Sequence, residues 1–278
     1  MNKLALLALN KKLGGGGSTE LSPFDDFIEG NTTEISSGAS KIASNAFYYW
    51  RTPTSANFPN ATEIGELAFN SCSELTSVNI PNATKIGRHA FSNCSSLTSV
   101  NCPKVTQIGV SGFGSCYSLT SVNCPKVTQI DDSGFSNCRS LTSVDFPNVE
   151  YINYAVFSSC FLLTSVNFHN EIKINSSAFS GCYSLKSVIL RSETMCTLYH
   201  TSAFNNCCYI LGEVHKTYNP TGAKDGYFYV PKALLSDDDA TKDYRRATNW
   251  STFATQFRAL EDYTVDGTIT GELDPNKI

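Results

Sequence analysis

Along most of this chain apolar and polar positions recur with a period of 22. Phe47, Phe69, Phe91, Phe113, Phe135, Phe157 and Phe179 fall at that interval without a slip. An Ile column runs five residues ahead of them, from Ile42 to Ile174, and a Cys column three residues behind, from Cys72 to Cys182. Leu and Val columns follow in step, Leu75 to Leu185 and Val78 to Val188. Fixed apolar columns at a period of this length mark a solenoid: no coil can bury its own apolar side, but stacked coils can. Each repeat reads I-G-x-x-A-F-x-x-C-x-x-L-T-S-V-N-x-P-x-x-T-x. Around Val78, Asn79 and Ile80 the chain alternates and then stops at Pro81, which predicts one short strand per coil, stacked in parallel into a sheet. A second, shorter extended segment is expected around Ile64, and one helical turn over A-F-x-x-C, where apolar residues lie three apart. The position after the Ile is Gly65, Gly87, Gly109, Asp131, Asn153 and Asn175. Those residue types tolerate positive φ, so a fixed turn is expected there. Small residues before each Phe (Ala68, Ala90, Gly112, Gly134) let coils approach.

The pattern decays at both ends, which divides the chain. Residues 1–18 read as a short N-terminal helix and a Gly-rich linker, Gly14 to Gly17 with Ser18. The apolar run Leu4 to Leu9 is short and followed by Lys11 and Lys12, so it predicts neither a cleaved export signal nor a membrane span. Residues 19–63 read as an N-terminal capping region with a degenerate repeat, in which Trp50 replaces the column Cys and Pro53 the column Leu. Tyr48, Tyr49 and Trp50 are expected as a lid on the open apolar end. Residues 64–207 are the regular repeats. Residues 208–262 are expected to form a C-terminal cap. There a long loop (208–226) precedes a strand at Tyr227 to Val230, and helices over Ala233 to Thr248 and Trp250 to Leu260 present Tyr244, Trp250, Phe253 and Phe257. Residues 263–278 are a hairpin, on the strength of Asp266-Gly267, or a tail.

Charge and cysteine content change this picture little. Net charge is −4 over 278 residues, and eight Lys or Arg balance eight Asp or Glu between Ile64 and Leu198. A neutral array lacks the dense cationic surface that nucleic acid requires. Eleven cysteines suggest a disulfide scaffold, but most lie in columns. Cys102 and Cys124 share a column with Phe58, Ile80, Phe146 and Phe168, so they read as packing thiols. Side chains of one column point the same way, whereas a disulfide needs converging Cβ atoms. Cys196 and Cys208 lie off the pattern, and their oxidation state is open.

The columns L-x-x-V-x-I/C/F-P-x-x-A/V-x-x-I-G-x-x-A-F-x-x-C resemble the BspA-like class of leucine-rich repeat over residues 42 to about 208. Tyr227 to Glu261, with Tyr244 and Asn249-Trp250-Ser251, resembles the segment that closes such arrays. The resemblance implies an α/β fold: a leucine-rich-repeat solenoid of 22-residue repeats with a parallel sheet on one face and a C-terminal helical cap. It also implies a non-enzymatic adhesin-like protein that binds a protein or cell-surface ligand, located extracellularly, at the cell surface or on a virion. The Gly-rich start and the V-D-G-T-x-T-G-E-L tail resemble prophage-encoded proteins of gut-type bacteria, which keeps open a structural part of a phage particle with the solenoid as rigid spacer.

No catalytic constellation, metal site or cofactor motif is evident. His89, His169, His200 and His215 are scattered, and Asp131 and Asp132 occupy turn columns. Asp237 to Asp239 suit capping of a following helix. A contact surface is expected where exposed columns vary between coils. The outward strand columns, Ser77 to Ser187 and Asn79 to Asn167, are uniform, which suits side-chain ladders between rungs. The column after Cys varies: Ser73, Ser95, Tyr117, Arg139, Phe161 and Tyr183. The last four predict a stripe about 15 Å long at the rung spacing of a sheet, which Leu162 and Tyr154 extend. Such rings either contact a partner or cover the seam between coils. Nothing in the sequence specifies an oligomeric state.

Overall fold

The computed structural model describes residues 20–21, 34–36, 38–211, 224, 226–236, 238–262, 264–265 and 268–269. Residues 1–18, His215 and Asp237 lie outside them, as do most of the loop that follows Leu211 and the Asp266-Gly267 turn. The fold is a parallel-sheet leucine-rich-repeat solenoid of about seven turns. It divides into two compact units, residues 1–141 and 142–278.

In unit 1 the S-V-N strands stack in parallel. Glu34–Ser36, Ser55–Asn57, Ser77–Asn79, Ser99–Asn101 and Ser121–Asn123 pair Ser on Ser, Val on Val and Asn on Asn wherever the repeat is regular. Val78 and Val100 turn inward and are buried; Ser and Asn face outward. The shorter strands, such as Glu63–Ile64, Lys85–Ile86 and Gln107–Ile108, form a second parallel ladder with every Ile inside. Unit 2 repeats the plan with Ser143–Phe146, Ser165–Phe168 and Ser187–Leu190. Its sheet continues with Tyr227–Val230 and Phe257–Ala259, both parallel. The small strands Thr264–Val265 and Thr268–Ile269 pair antiparallel.

Superposed coils put like rings on like rings. Phe91 and Phe113 stack at 5.2 Å and 2°, with Phe69 and Phe135 continuing the column in unit 1 at 5.1 and 5.4 Å. Phe157, Phe179 and Phe204 stack likewise in unit 2. These separations fall in the favourable range for aromatic pairs, each worth about 0.5–1.5 kcal/mol beyond the area it buries.

The A-F-x-x-C segment is not a helical turn. Leu67, Phe69 and Ser71 send their N–H groups to the next coil, to the carbonyls of Arg88, Ala90 and Ser92. Ala68, Asn70 and Cys72 close local turns on Gly65, Leu67 and Phe69. Alternate amides thus face alternate ways, and the segment becomes a third inter-coil ladder. A helix would direct every amide back along its own chain. The geometry needs positive φ at two positions per coil. They are Leu67 (57°) and Ser71 (62°), with His89 and Asn93, and Ser111 and Ser115, in the following coils.

This corrects the expected turn at the Gly/Asn/Asp position. None of Gly65, Gly87, Gly109, Asp131, Asn153 or Asn175 has positive φ. Gly87 is there for room: a Cβ on it would lie 2.7 Å from the carbonyl carbon of Gly65 and 2.8 Å from the carbonyl oxygen of Ile64.

Two further expectations are revised. Tyr48 and Tyr49 are exposed, so they do not form the N-terminal lid; Trp50 alone leans on the core, stacked on Phe47 at 5.6 Å. Among the described residues the C-terminal cap is helical only in one α-helical turn, Cys208–Leu211, and in short 3-10 turns, Lys232–Leu234, Ala240–Lys242, Trp250–Gln256 and Leu260–Asp262. Its second half is interrupted by the strand Phe257–Ala259, because Phe257 and Ala259 extend the sheet edge and bury there. The expected apolar set is nonetheless inside: Tyr244, Trp250, Phe253 and Phe257 are all buried.

Cys102 and Cys124, expected as packing thiols, are joined as a disulfide. In-register pairing of their rungs sets the two Cα atoms 4.9 Å apart, within the usual span of a bridge. The remaining cysteines, Cys196 and Cys208 among them, are buried free thiols.

Candidate functional site

The stripe column sits at the foot of the long strands, just past the Cys column. Its residues are held on successive rungs by their own backbone: Ser118 donates its N–H to Ser95, Ser140 to Tyr117, and Ser184 to Phe161, each at 3.2 Å. In unit 1 the Arg139 guanidinium lies over the Tyr117 ring, 4.6 Å from its centroid. Arg139 is exposed and Tyr117 is 40% exposed. In unit 2 Phe161 stacks on Tyr183 at 5.1 Å, both rings half-buried, and Leu162 beside them is 44% exposed. Cation and aromatic pairs at such sites are worth about 0.5–1 kcal/mol, so the stripe is ordered before anything binds. Tyr154 is 51% exposed but opens the turn segment that Cys160 closes. It therefore stands at the other end of that segment from Phe161.

The uniform Asn column is used internally, as expected. Asn79 donates to Asn57 and Asn123 to Asn101, both at 2.8 Å, and Asn167 donates to Asp145 at 3.1 Å. The Thr column adds a second ladder, in which the hydroxyls of Thr76, Thr98 and Thr120 donate to the carbonyl one coil back. These groups are committed to their neighbours, whereas the stripe column varies between coils.

Past the regular repeats the stripe position, next to Cys207, is Cys208, which is buried. Tyr209 stands one residue further on, with the Lys186 ammonium 4.2 Å above its ring. Tyr227 lies in the strand column, in register with Ser187, under the Arg258 guanidinium at 4.1 Å. Sequence reasoning missed these two pairs, because Tyr209 falls off the stripe column and the register of Tyr227 is set only after intervening chain.

The histidines do not converge. His89 occupies a positive-φ turn position; burial lowers its pKa, and Arg88 lowers it further against Glu66. His169 lies 3.0 Å from Asp145 and 2.9 Å from Asn167. His200 accepts from the Ser202 N–H at the start of a 3-10 turn. Asp239 caps Ala240–Lys242, accepting from the Thr241 N–H at 2.9 Å, and those Thr241 bonds, side chain first, hold its pKa below the usual value. Among the described residues no group of three or more His, Cys, Asp or Glu side chains is placed to hold a metal ion, and no helix is long and apolar enough to cross a membrane.

The cap is locked onto the last coil by groups that reach across about 50 residues of sequence. The Cys196 N–H donates to the Tyr244 hydroxyl, and Trp250 Nε1 donates to the Cys196 carbonyl at 2.8 Å. Asn249, at φ 65°, donates to the carbonyls of Leu198 and Tyr199. The backbone that ends the array is therefore satisfied by side chains.

No curated protein sequence matches the chain. Among solved structures, a leucine rich repeat protein of T. pallidum is 27% identical with a TM-score of 0.53, over 56% of this chain and 79% of that one. A leucine rich cell surface protein of Faecalibacterium prausnitzii A2-165 is 21% identical at a TM-score of 0.30, over 64% and 86%. A leucine-rich repeat protein of Bacteroides ovatus ATCC 8483 is 21% identical at 0.32, over 70% and 77%. Six copies of the BspA type leucine rich repeat region match residues 22–133 and 106–229. With that match spanning well over half its length, the chain belongs to the BspA-type leucine-rich repeat family.

Proposed function

We propose that this chain is a non-enzymatic recognition protein that binds a protein or cell-surface ligand outside the producing cell. The observation that carries the reading is the pre-ordered column of exposed Tyr117 under Arg139 and of half-buried Phe161 on Tyr183, flanked by exposed Leu162. Tyr and Arg are the residue types that dominate binding energy at interfaces. The Asn and Thr columns are spent on bonds between coils, whereas this column varies from coil to coil. Family membership supports the same reading, since such solenoids are scaffolds that present extended surfaces.

The test is a triple substitution, Tyr117→Ser, Phe161→Ser and Tyr183→Ser, in the full chain. Binding to immobilised extracellular-matrix proteins and to epithelial cell layers is measured for both proteins, with circular dichroism as the folding control. Adhesion should fall at least tenfold with an unchanged spectrum. Equal adhesion by the two proteins would remove the stripe from the interface and leave these rings as covers for the seam between coils.

A further inference from the structure

One coil of unit 2 breaks the column rule. Two adjacent positions that read Val105-Thr106, Val127-Thr128 and Val149-Glu150 become Glu171-Ile172 in the next coil. Ile172 is fully buried, so the inward place of the Val column is taken one residue late and Glu171 is left outside. The Thr hydroxyl that elsewhere donates to the coil before, as from Thr106 and Thr128, is lost from both of these coils. Glu150, Tyr151, Asn170, Glu171 and Lys173 line a cleft of about 280 Å³ at this place.

The lining is polar, and much of it is uncommitted. Among the described residues the Glu150 carboxylate and the Asn170 side-chain amide have no hydrogen-bond partner. Glu171 gives one oxygen to the Thr194 hydroxyl, at 3.0 Å. Lys173 donates to the Tyr151 hydroxyl at 2.9 Å, with its ammonium 4.7 Å from the ring centroid, and that ring stays 43% exposed. On the next rung Thr197 pairs with Lys173, and Tyr199, two residues on, is 53% exposed.

A sugar ring asks for this mixture. Each of its hydroxyls donates and accepts, so it needs acceptor-only carboxylates beside a donor-only ammonium, and its C–H face covers an aromatic ring. Charge narrows the class. Two carboxylates against one ammonium disfavour an anionic sugar, and the ammonium among them disfavours a cationic side chain. The volume lies just below the range of about 300–1,000 Å³ that takes drug-sized ligands, which suits a single ring. From these groups we infer that the cleft is a binding site for a neutral sugar residue, such as the end of a surface glycan. It shares no residue with the aromatic stripe.

The test is saturation-transfer-difference NMR on the full chain. The probes are the methyl glycosides of glucose, galactose and mannose, and N-acetylglucosamine; sialyllactose and the peptide Gly-Lys-Gly are the charged comparisons. At least one neutral sugar should receive saturation, strongest on the C–H protons of one face. Its affinity should fall at least fivefold on Glu150→Ala with Asn170→Ala, and likewise on Tyr151→Ala, while Tyr151→Phe keeps the ring and most of the binding. These positions are exposed, and circular dichroism checks the fold of each variant. Glu193→Ala, exposed in unit 2 but outside the lining, should bind as wild type does. No transfer to any of the four sugars, equal binding by wild type and the double variant, or preference for sialyllactose or Gly-Lys-Gly would overturn the inference. The triple stripe variant separates the two readings. Sugar binding that survives in it while adhesion falls supports both; sugar binding lost with the stripe places the sugar there and overturns this one.

Discussion

A buried cysteine in the repeat column is a donor as well as a filler. Cys72, Cys94, Cys116 and Cys138 each point Sγ at the carbonyl of the Phe one coil back, at 3.1 to 3.2 Å. That carbonyl also takes the N–H of its own coil's Cys, as Phe69 does from Cys72. The column is therefore apolar in volume and polar at one atom, which explains why no aliphatic residue replaces Cys from Cys72 to Cys182. Burial is the first cause that raises Cys94 and Cys182 well above the ordinary thiol value of 9.0, with neighbouring column thiols adding to it; burial also pushes Cys116 up to about 12. A thiol whose folded value exceeds its unfolded value keeps its proton in the native state and releases it on unfolding. The unfolded chain then binds fewer protons, so stability falls as pH rises. For Cys116 the contribution is whole below pH 9 and is lost between about 9 and 12. Inside that window this thiol should cost about 1.4 kcal/mol per pH unit. Urea midpoints should hold steady from pH 7 to 8 and drop steeply by pH 10.5, and Cys116→Ala should make the slope shallower. A midpoint that stays flat to pH 10.5 would mean that these thiols already ionise in the folded protein. For the same reason DTNB at pH 8 should leave the column unlabelled until denaturant is added.

At the scale of one coil, glycines and positive-φ positions have exchanged the roles their residue types suggest. Gly65, Gly87 and Gly109 mark close approach of backbones, while Leu67, His89 and Ser111 adopt the left-handed conformation. Substitutions at the two positions should therefore act in opposite directions. Gly87→Ala places a methyl under 3 Å from backbone atoms of the coil before it and should destabilise by about 1–3 kcal/mol, the usual range for overpacking. Ser111→Gly relieves a left-handed residue, worth about 1–2 kcal/mol, against the greater unfolded-state freedom of glycine, about 0.5–1 kcal/mol. It should be neutral or stabilise by up to about 1 kcal/mol in urea unfolding. If Ser111→Gly destabilises and Gly87→Ala does not, the turn assignment is wrong. The strands, the buried columns and the side-chain ladders were legible, because a period of two inside a period of 22 leaves few ways to pair. The turn segment was not legible: A-F-x-x-C fits a helix equally well, and only the next coil's carbonyls at Arg88, Ala90 and Ser92 decide otherwise. The cap failed for a related reason. Its composition is helical, yet Phe228 and Phe257 are worth more on the sheet edge, and Tyr244 and Trp250 are fixed by the backbone of Cys196. Tyr244→Phe leaves the buried Cys196 N–H without its acceptor and should cost about 1–3 kcal/mol.

At the scale of the molecule, the repeat columns were readable and the pairings of the cap were not. Tyr117, Arg139, Phe161 and Tyr183 announce themselves as departures in one column, whereas Tyr227 and Arg258 join the sheet only through pairing across intervening chain. The same translational logic makes the array divisible. Ile64 precedes Gly65, and Ile86 precedes Gly87, so excision of residues 65–86, which spares the Cys102–Cys124 disulfide, joins Ile64 to Gly87 with every column still in phase. Each coil of unit 1 contacts its neighbours through like residues: Phe on Phe, Ser-Val-Asn on Ser-Val-Asn, Thr on Thr. Removing one coil therefore deletes one set of internal bonds and one interface while recreating an equivalent interface across the junction. The shortened chain should fold, with a far-ultraviolet spectrum unchanged per residue and a melting temperature lowered by a few degrees. Excision of residues 65–75 is the counter-experiment. It removes half a coil, sets Phe columns against strand columns, and exposes apolar faces that no partner rung covers. That chain should aggregate or melt without cooperativity. Equal behaviour of the two deletions would show that the coils are not interchangeable layers.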